Sequence, residues 1–193
     1  GNLGDAAISA SLVDAIGNIN PSAAVTIVSN DRRDRHSIRP NQIIPRGPGG
    51  VAGLISAAAR SDTTIFGGGG LLQDDDSAIK LPYWTSRLAF LRLFARRMVG
   101  IGIGAGPLHR RTSQVCARLA VAALDTVSVR DHLAQEVLQQ SSSKPVEMVP
   151  DPAFMLSAAP EDRARRALQA SGVPLDGRPL LGIALRRYFN TGG

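Results

Sequence analysis

Residues 63–76 read Thr-Thr-Ile-Phe-Gly-Gly-Gly-Gly-Leu-Leu-Gln-Asp-Asp-Asp. The first four are β-branched or apolar and predict a strand over Thr63 to Phe66. The four glycines behind it lose more backbone freedom on folding than any other residues would, a cost that an ordinary turn does not require. Close approach of the backbone to a ligand is a physical reason for them. The carboxyl end of a parallel strand is where α/β sheets bind ligands. The aspartates that follow allow a metal site or a set of solvated cap residues. No histidine or further acid lies near them in sequence, which favours caps, and no metal is expected.

The same alternation extends outward in both directions. Apolar runs at Val25 to Val28, Met98 to Ile103, Thr126 to Val129, Val146 to Val149 and Leu180 to Leu185 predict further strands. Amphipathic stretches at Asp5 to Ile16, Val51 to Arg60, Tyr83 to Arg97, Thr112 to Leu124, His132 to Gln140 and Glu161 to Gln169 predict helices between them. Nearly continuous apolar strands, each followed by a helix, point to a mostly parallel sheet with right-handed crossovers. The expected class is therefore Rossmann-like α/β, doubly wound. A Rossmann-like domain is expected over residues 1–158, its first strand lying ahead of Gly1. A charged linker helix is expected over 159–178, and the first strand of a second α/β domain over 179–193. The chain opens without methionine in a glycine-rich turn and stops just after an apolar run, so it reads as a piece of a longer protein.

Composition narrows the function classes. The chain has 193 residues, 44% hydrophobic content and a formal charge of +6. That is enough for a sizeable core and too apolar for a disordered chain. No apolar run approaches the ~18 residues that would span a bilayer. Cys116 is the single cysteine, which excludes a disulfide framework and fits a reducing, cytoplasmic compartment. Almost all cations are arginines. Nucleic-acid binding would call for basic residues interleaved with aromatics, but aromatics are 4% of the chain. A small anionic substrate fits better, because the guanidinium fork matches phosphate and carboxylate.

Several other stretches put polar groups at strand ends. Gly1-Asn2-Leu3-Gly4-Asp5 precedes a helical pattern, as a ligand-facing turn or as a plain turn with Asp5 as cap. Gly102-Ile103-Gly104-Ala105-Gly106-Pro107 looks superficially like a dinucleotide fingerprint, but Pro107 interrupts the helix that should follow, and Arg130 stands where a ribose-binding acid would be needed. A nicotinamide or flavin cofactor is not expected. Arg110 and Arg111, just beyond, either meet an anion or solvate a loop, and solvation is the favoured reading. Arg130 and Asp131 close one strand, and either pair with each other or leave Asp131 to cap the next helix. Asp151 is fixed between Pro150 and Pro152, and Arg186 with Arg187 closes the last strand. His36, His109 and His132 lack partner spacing and read as surface residues.

The order Gly1-Asn2-Leu3-Gly4-Asp5, Gly67 to Asp74, Gly102 to Pro107, Ser128-Val129-Arg130-Asp131, Asp151-Pro152-Ala153-Phe154 and Ile183-Ala184-Leu185-Arg186 resembles the polysaccharide pyruvyl transferases along essentially the whole chain. Asp75, Asp76 and the pair His132-Leu133 depart from the pattern. The resemblance implies the N-terminal half of a GT-B-like two-domain architecture. It also implies transfer of the pyruvyl unit of phosphoenolpyruvate onto two hydroxyls of a sugar in a cell-surface or extracellular polysaccharide, with no cofactor beyond that donor. In this reading Arg130 and Arg186 bind the donor. Asn2, Gly4, Asp5, Gly68, Gly69, Gly70, Asp74 and Asp151 line the sugar-facing cleft, and the general acid lies in sequence beyond this chain. The acceptor would be a glycan, lipid-linked in one version, with peripheral membrane association and no nucleic-acid partner. A GT-B glycosyltransferase using a nucleotide sugar, and an inactive sugar-binding module, would show nearly the same pattern.

Overall fold

A computed structural model describes residues 3–30, 40–74 and 77–183. Asn2 and Arg186 of the expected site lie outside the described residues, as do Asp75, Asp76 and His36. The chain divides into two compact units, with the division between Leu156 and Ser157.

In the first unit, helix α1 (Leu3–Ile19) leads to β1 (Thr26–Val28), which pairs in parallel with β2 (Gln42–Ile44). Helix α2 (Val51–Arg60) then precedes the main sheet. That sheet is built from β3 (Thr64–Gly67), β4 (Gly70–Leu72), β5 (Met98–Ala105), β6 (Thr126–Val129) and β7 (Val146–Met148). Its order is β3-β5-β6-β7, with β4 also on β5, and every pairing is parallel. The crossovers are helices α3 (Lys80–Arg92), α4 (Arg111–Ala122) and α5 (His132–Gln139). The three steps go the same way across the sheet, so right-handed crossovers put all three helices on one face.

On that face Leu72, Met98, Ile103, Val127, Val129 and Val146 of the strands bury against Leu81, Leu88, Ala117, Val121, Ala134 and Leu138 of the helices. Helix α1 covers the opposite face. Side chains alternate along a strand: the Phe66 ring meets Trp84 of α3 at 5.6 Å between centroids. A Cβ on the next residue, Gly67, would meet Leu12 of α1 at 3.0 Å. The fold is thus the expected α/β parallel sheet with helices on both faces, consistent with a Rossmann-like doubly wound class.

The amino edge of the sheet is tied by Asp125. Its Oδ2 accepts from the Met98 amide at 2.7 Å and from Arg92 Nη1 at 2.9 Å. The Met98 amide bond, with the Arg92 and Lys144 charges adding to it, holds the Asp125 carboxyl below its ordinary pKa.

Most expected elements form within a few residues of their expected bounds, helix α3 ends at Arg92, five residues short of the expected Arg97, and one strand is not formed. Helix α3 starts three residues before the expected Tyr83, because Pro82 sits in its first turn, where the missing amide has no helical acceptor to lose. Helix α1 begins at Leu3, so Gly4 and Asp5 lie in its first turn rather than in a turn ahead of it. In the second unit, α6 (Glu161–Ala170) carries i,i+4 pairs Glu161–Arg165 at 2.9 Å and Asp162–Arg166 at 2.6 Å. It ends with the Val173 amide on the Leu168 carbonyl and the Gly172 amide on the Gln169 carbonyl, the Schellman arrangement. The expected strand Leu180 to Leu185 is absent over its described part, 180–183. A strand is stable only with a partner, and no strand is present among the described residues of this unit.

Candidate functional site

The carboxyl edge of the main sheet is shaped by two matched irregularities. Strand β5 carries one residue more than β6 between neighbouring pairing points, since Gly100 faces Val127 but Ile103 faces Val129. The extra residue is taken up at Gly102, whose φ of 58° is left-handed. A Cβ there would stand 2.5 Å from Cδ of Pro152, so side-chain-free backbone is required twice over. Ser128 fills the gap in the ladder: its hydroxyl accepts from the Gly102 amide and donates to the Gly100 carbonyl, both at 3.2 Å. The bulge also resets the alternation, so Met98 and Ile103, an odd number apart, both reach the helical face.

The glycine run makes the same jog next door. β3 and β4 are one strand path interrupted at Gly68 and Gly69, with φ of 47° and 85°. The register is kept across the break, Gly67 facing Ile101 and Gly70 facing Gly104, and shifts by one just beyond it, where Leu72 faces Ala105. The Gly68 amide donates to the Ile101 carbonyl at 2.9 Å, and the Gly104 amide to the Gly69 carbonyl at 2.8 Å. The expected strand-to-loop turn is therefore partly strand: Gly70 belongs to β4.

Arg130, at the end of β6, lies over this backbone. A Cβ on Gly104 would stand 3.1 Å from both Nε and Nη2 of Arg130 and 3.0 Å from the Gly69 carbonyl oxygen. The guanidinium is oriented by two carboxylates: Asp151 Oδ2 accepts from Nη1 at 2.9 Å, and Asp131 Oδ2 lies 3.7 Å from Nε. Of the two, Asp151 is the firm partner, and the expected Arg130–Asp131 pairing is secondary. Each aspartate also caps the element behind it. Asp131 accepts from the Ala134 amide of α5 at 2.8 Å, and Asp151 from the Ala153 amide of the 3-10 turn Pro152–Met155 at 3.0 Å. The bond each aspartate accepts from a backbone amide at Oδ1 fixes the Oδ2 it offers to Arg130, whose side chain stays one-third exposed.

Helix α1 closes the arrangement from the other face. Cγ2 of Ile8 sits 2.6 Å from where a Gly68 Cβ would be, and Asp5 Oδ1 sits 3.6 Å from that of Gly69. Asp5, Gly68, Gly69, Arg130 and Asp151, expected separately from the sequence, are thus brought to one edge. Asn2 and Arg186 lie outside the described residues.

Asp74 is a correction. Its side chain is fully buried, and its two oxygens accept from the His109 and Arg110 amides, each at 3.0 Å. Burial alone would raise its pKa, but the Ser113 hydroxyl, these two amides and the Arg110 charge outweigh it and hold the carboxyl below its ordinary value. Arg110 Nη1 also donates to the Asp74 carbonyl at 2.9 Å, so Arg110 does more than solvate a loop. Asp74 staples the start of α4 to the end of β4 and does not face a cleft. Gly104 was the residue missed. Its signal, glycines two apart from Gly102 to Gly106, is present in the sequence as a poor dinucleotide fingerprint and as part of the family pattern, neither of which singles out Gly104.

A parallel α/β sheet whose carboxyl edge presents glycine backbone under an aspartate-oriented arginine defines the class, a Rossmann-like α/β domain. Residues 2–189 match the family model described as polysaccharide pyruvyl transferase. The chain belongs to that family, and it is accordingly a transferase of polysaccharide biosynthesis. No curated protein and no solved structure matches it. Among the described residues no helix is long and apolar enough to cross a membrane.

Proposed function

We propose that this protein transfers the pyruvyl group of phosphoenolpyruvate onto a sugar of a cell-surface or extracellular polysaccharide as a cyclic ketal, on the cytoplasmic side of the membrane. The supporting observation is Arg130, oriented by Asp151 over the Gly104 backbone at the sheet's carboxyl edge. A guanidinium so fixed offers a preorganised partner to a carboxylate or phosphate. Arg186 would add a second cation, and Asp5 with the Gly68–Gly69 backbone would face the acceptor.

The chemistry needs a proton delivered to the methylene carbon of the donor, which becomes the methyl group and leaves cationic character on the adjacent carbon. Two sugar hydroxyls add to that carbon, each losing its proton, and phosphate departs. Arg130 serves by holding the donor's anionic groups while the charge on that carbon changes.

The test is to incubate the complete protein with phosphoenolpyruvate and candidate lipid-linked glycans and to measure phosphate release. Release that requires both substrates is expected. Release of the nucleotide from a nucleotide sugar instead, with phosphoenolpyruvate inert and no phosphate freed, would refute the donor. Arg186→Ala in the complete protein should raise KM for phosphoenolpyruvate, and unchanged kinetics would remove Arg186 from the site.

A further inference from the structure

Helices α3 and α4 are apolar on the side where a surface helix is normally polar. Leu81, Thr85 and Leu88 form the buried stripe of α3. On its opposite side, at helical spacing, come Tyr83, Arg87 and Phe90, continued by Phe94 in the turn beyond; all three rings are exposed. The Arg87 guanidinium stacks 4.5 Å above the Tyr83 ring, and the Phe90 and Phe94 rings meet at 5.4 Å. On α4, Ser113, Ala117 and Ala120 face inward, while Val115 and Leu119 face solvent, each more than half exposed. The two helices are neighbours on one face of the sheet, so their outer sides form one surface.

The charge of that surface says what it fits. Residues 77–124, which contain both helices, hold eight of the chain's 22 Lys and Arg and none of its 16 Asp and Glu. The rest of the chain, with 14 cations against 16 acids, is net negative, so the whole positive excess of +6 resides in this segment. Arg92, Arg96 and Arg110 are drawn to Asp125, Asp62 and Asp74, whereas Arg111 and Arg118 stand exposed on α4 beside Val115 and Leu119. Exposed aromatic and aliphatic groups among arginines, on helices that carry no acid of their own, match a surface that is anionic at its headgroups and apolar beneath them.

We propose that the outer face of α3 and α4 docks on an anionic lipid bilayer. Tyr83, Phe90, Phe94, Val115 and Leu119 enter the headgroup boundary, and Arg87, Arg111 and Arg118 meet lipid phosphates. This surface lies on the helical face of the sheet, and the carboxyl edge opens at its side, so docking leaves the candidate site uncovered. The proposal stands on the surface alone and does not depend on the donor assigned above.

Flotation of the full chain with vesicles tests it, using equal parts phosphatidylglycerol and phosphatidylcholine against phosphatidylcholine alone. Binding is expected to the anionic vesicles and is expected to fall steeply with added NaCl. Arg111→Gln with Arg118→Gln should weaken it about thirtyfold, from about fivefold per arginine near an anionic surface. Leu119→Ser should weaken it about tenfold through lost apolar insertion, while Ile19→Ser, on α1 across the sheet, should leave it unchanged. Thermal unfolding checks that each variant is folded. The proposal is overturned by equal binding to neutral vesicles or by no vesicle binding. Retention on RNA, or a dimer abolished by the same substitutions, would equally overturn it.

Discussion

Gly102→Ala isolates the bulge on which the carboxyl edge depends. At φ 58° an alanine is left-handed, which costs about 1–2 kcal/mol. Its Cβ would also lie 2.5 Å from Pro152 Cδ and 3.0 Å from Pro152 Cγ. A proline ring cannot swing aside as a long side chain does, and its turn is capped by Asp151 and packs on α1. Overpacking of this kind costs about 1–3 kcal/mol. The sum, about 2–5 kcal/mol, is a large part of the ~5–15 kcal/mol of stability a domain has. The assay is urea denaturation of the chain followed by circular dichroism, with Gly17→Ala as the control. Gly17 lies in α1 with nothing within 4 Å of its Cβ position, so alanine there should be neutral or add up to about 1 kcal/mol. A loss below about 1 kcal/mol at Gly102 would refute the view that the bulge and the Pro152 turn lock each other in place.

Asp74→Asn should cost about 2–3 kcal/mol, because one of two buried amides then faces an NH2 group. Since the folded carboxyl titrates below its ordinary value, its contribution is present above about pH 4 and lost as pH falls through the folded pKa; denaturation midpoints at several pH values should flatten in that acidic range in the variant. Arg130→Ala in the complete protein should raise KM for phosphoenolpyruvate at least tenfold, and Arg130→Lys should restore it only in part, because an ammonium cannot span Asp151 and the donor with a planar fork. Gly104→Ala should lower activity more than stability, since its Cβ displaces the Arg130 guanidinium; equal effects on both would show that Gly104 serves packing alone.

What the sequence disclosed follows from how local each signal is. Thr126–Val129 and Val51–Arg60 are legible to the residue, because a short apolar run and an amphipathic repeat are written in neighbouring positions. Gln42–Ile44 is too short to show a period, and Gly70–Leu72 is concealed in a glycine run that reads as a turn. At the site, the placement of Arg130 and Asp151 at strand ends was visible, but their ion pair spans 21 residues and is a product of strand order. Asp74 misled for the same reason. Its partners lie 35 and 36 residues downstream, and no local pattern distinguishes a carboxylate that will be buried on distant amides from one left open.

The paired jogs at Gly68–Gly69 and Gly102 amount to an edge dislocation in the sheet: from Gly67 to Gly70 the β3–β4 path keeps pace with β5 through one extra step that β6 does not take, and β4 then gains a residue of its own on β5 between Gly70 and Leu72. Such a defect cannot be healed on one side only. Deleting a single residue from either glycine run would leave its neighbour one stride ahead and invert which side chains meet the core. Variation in length at these two places is therefore coupled from Gly67 to Gly70, where the two runs lie 34 positions apart by their register, and freer beyond Gly70, where β4 already carries one unmatched residue.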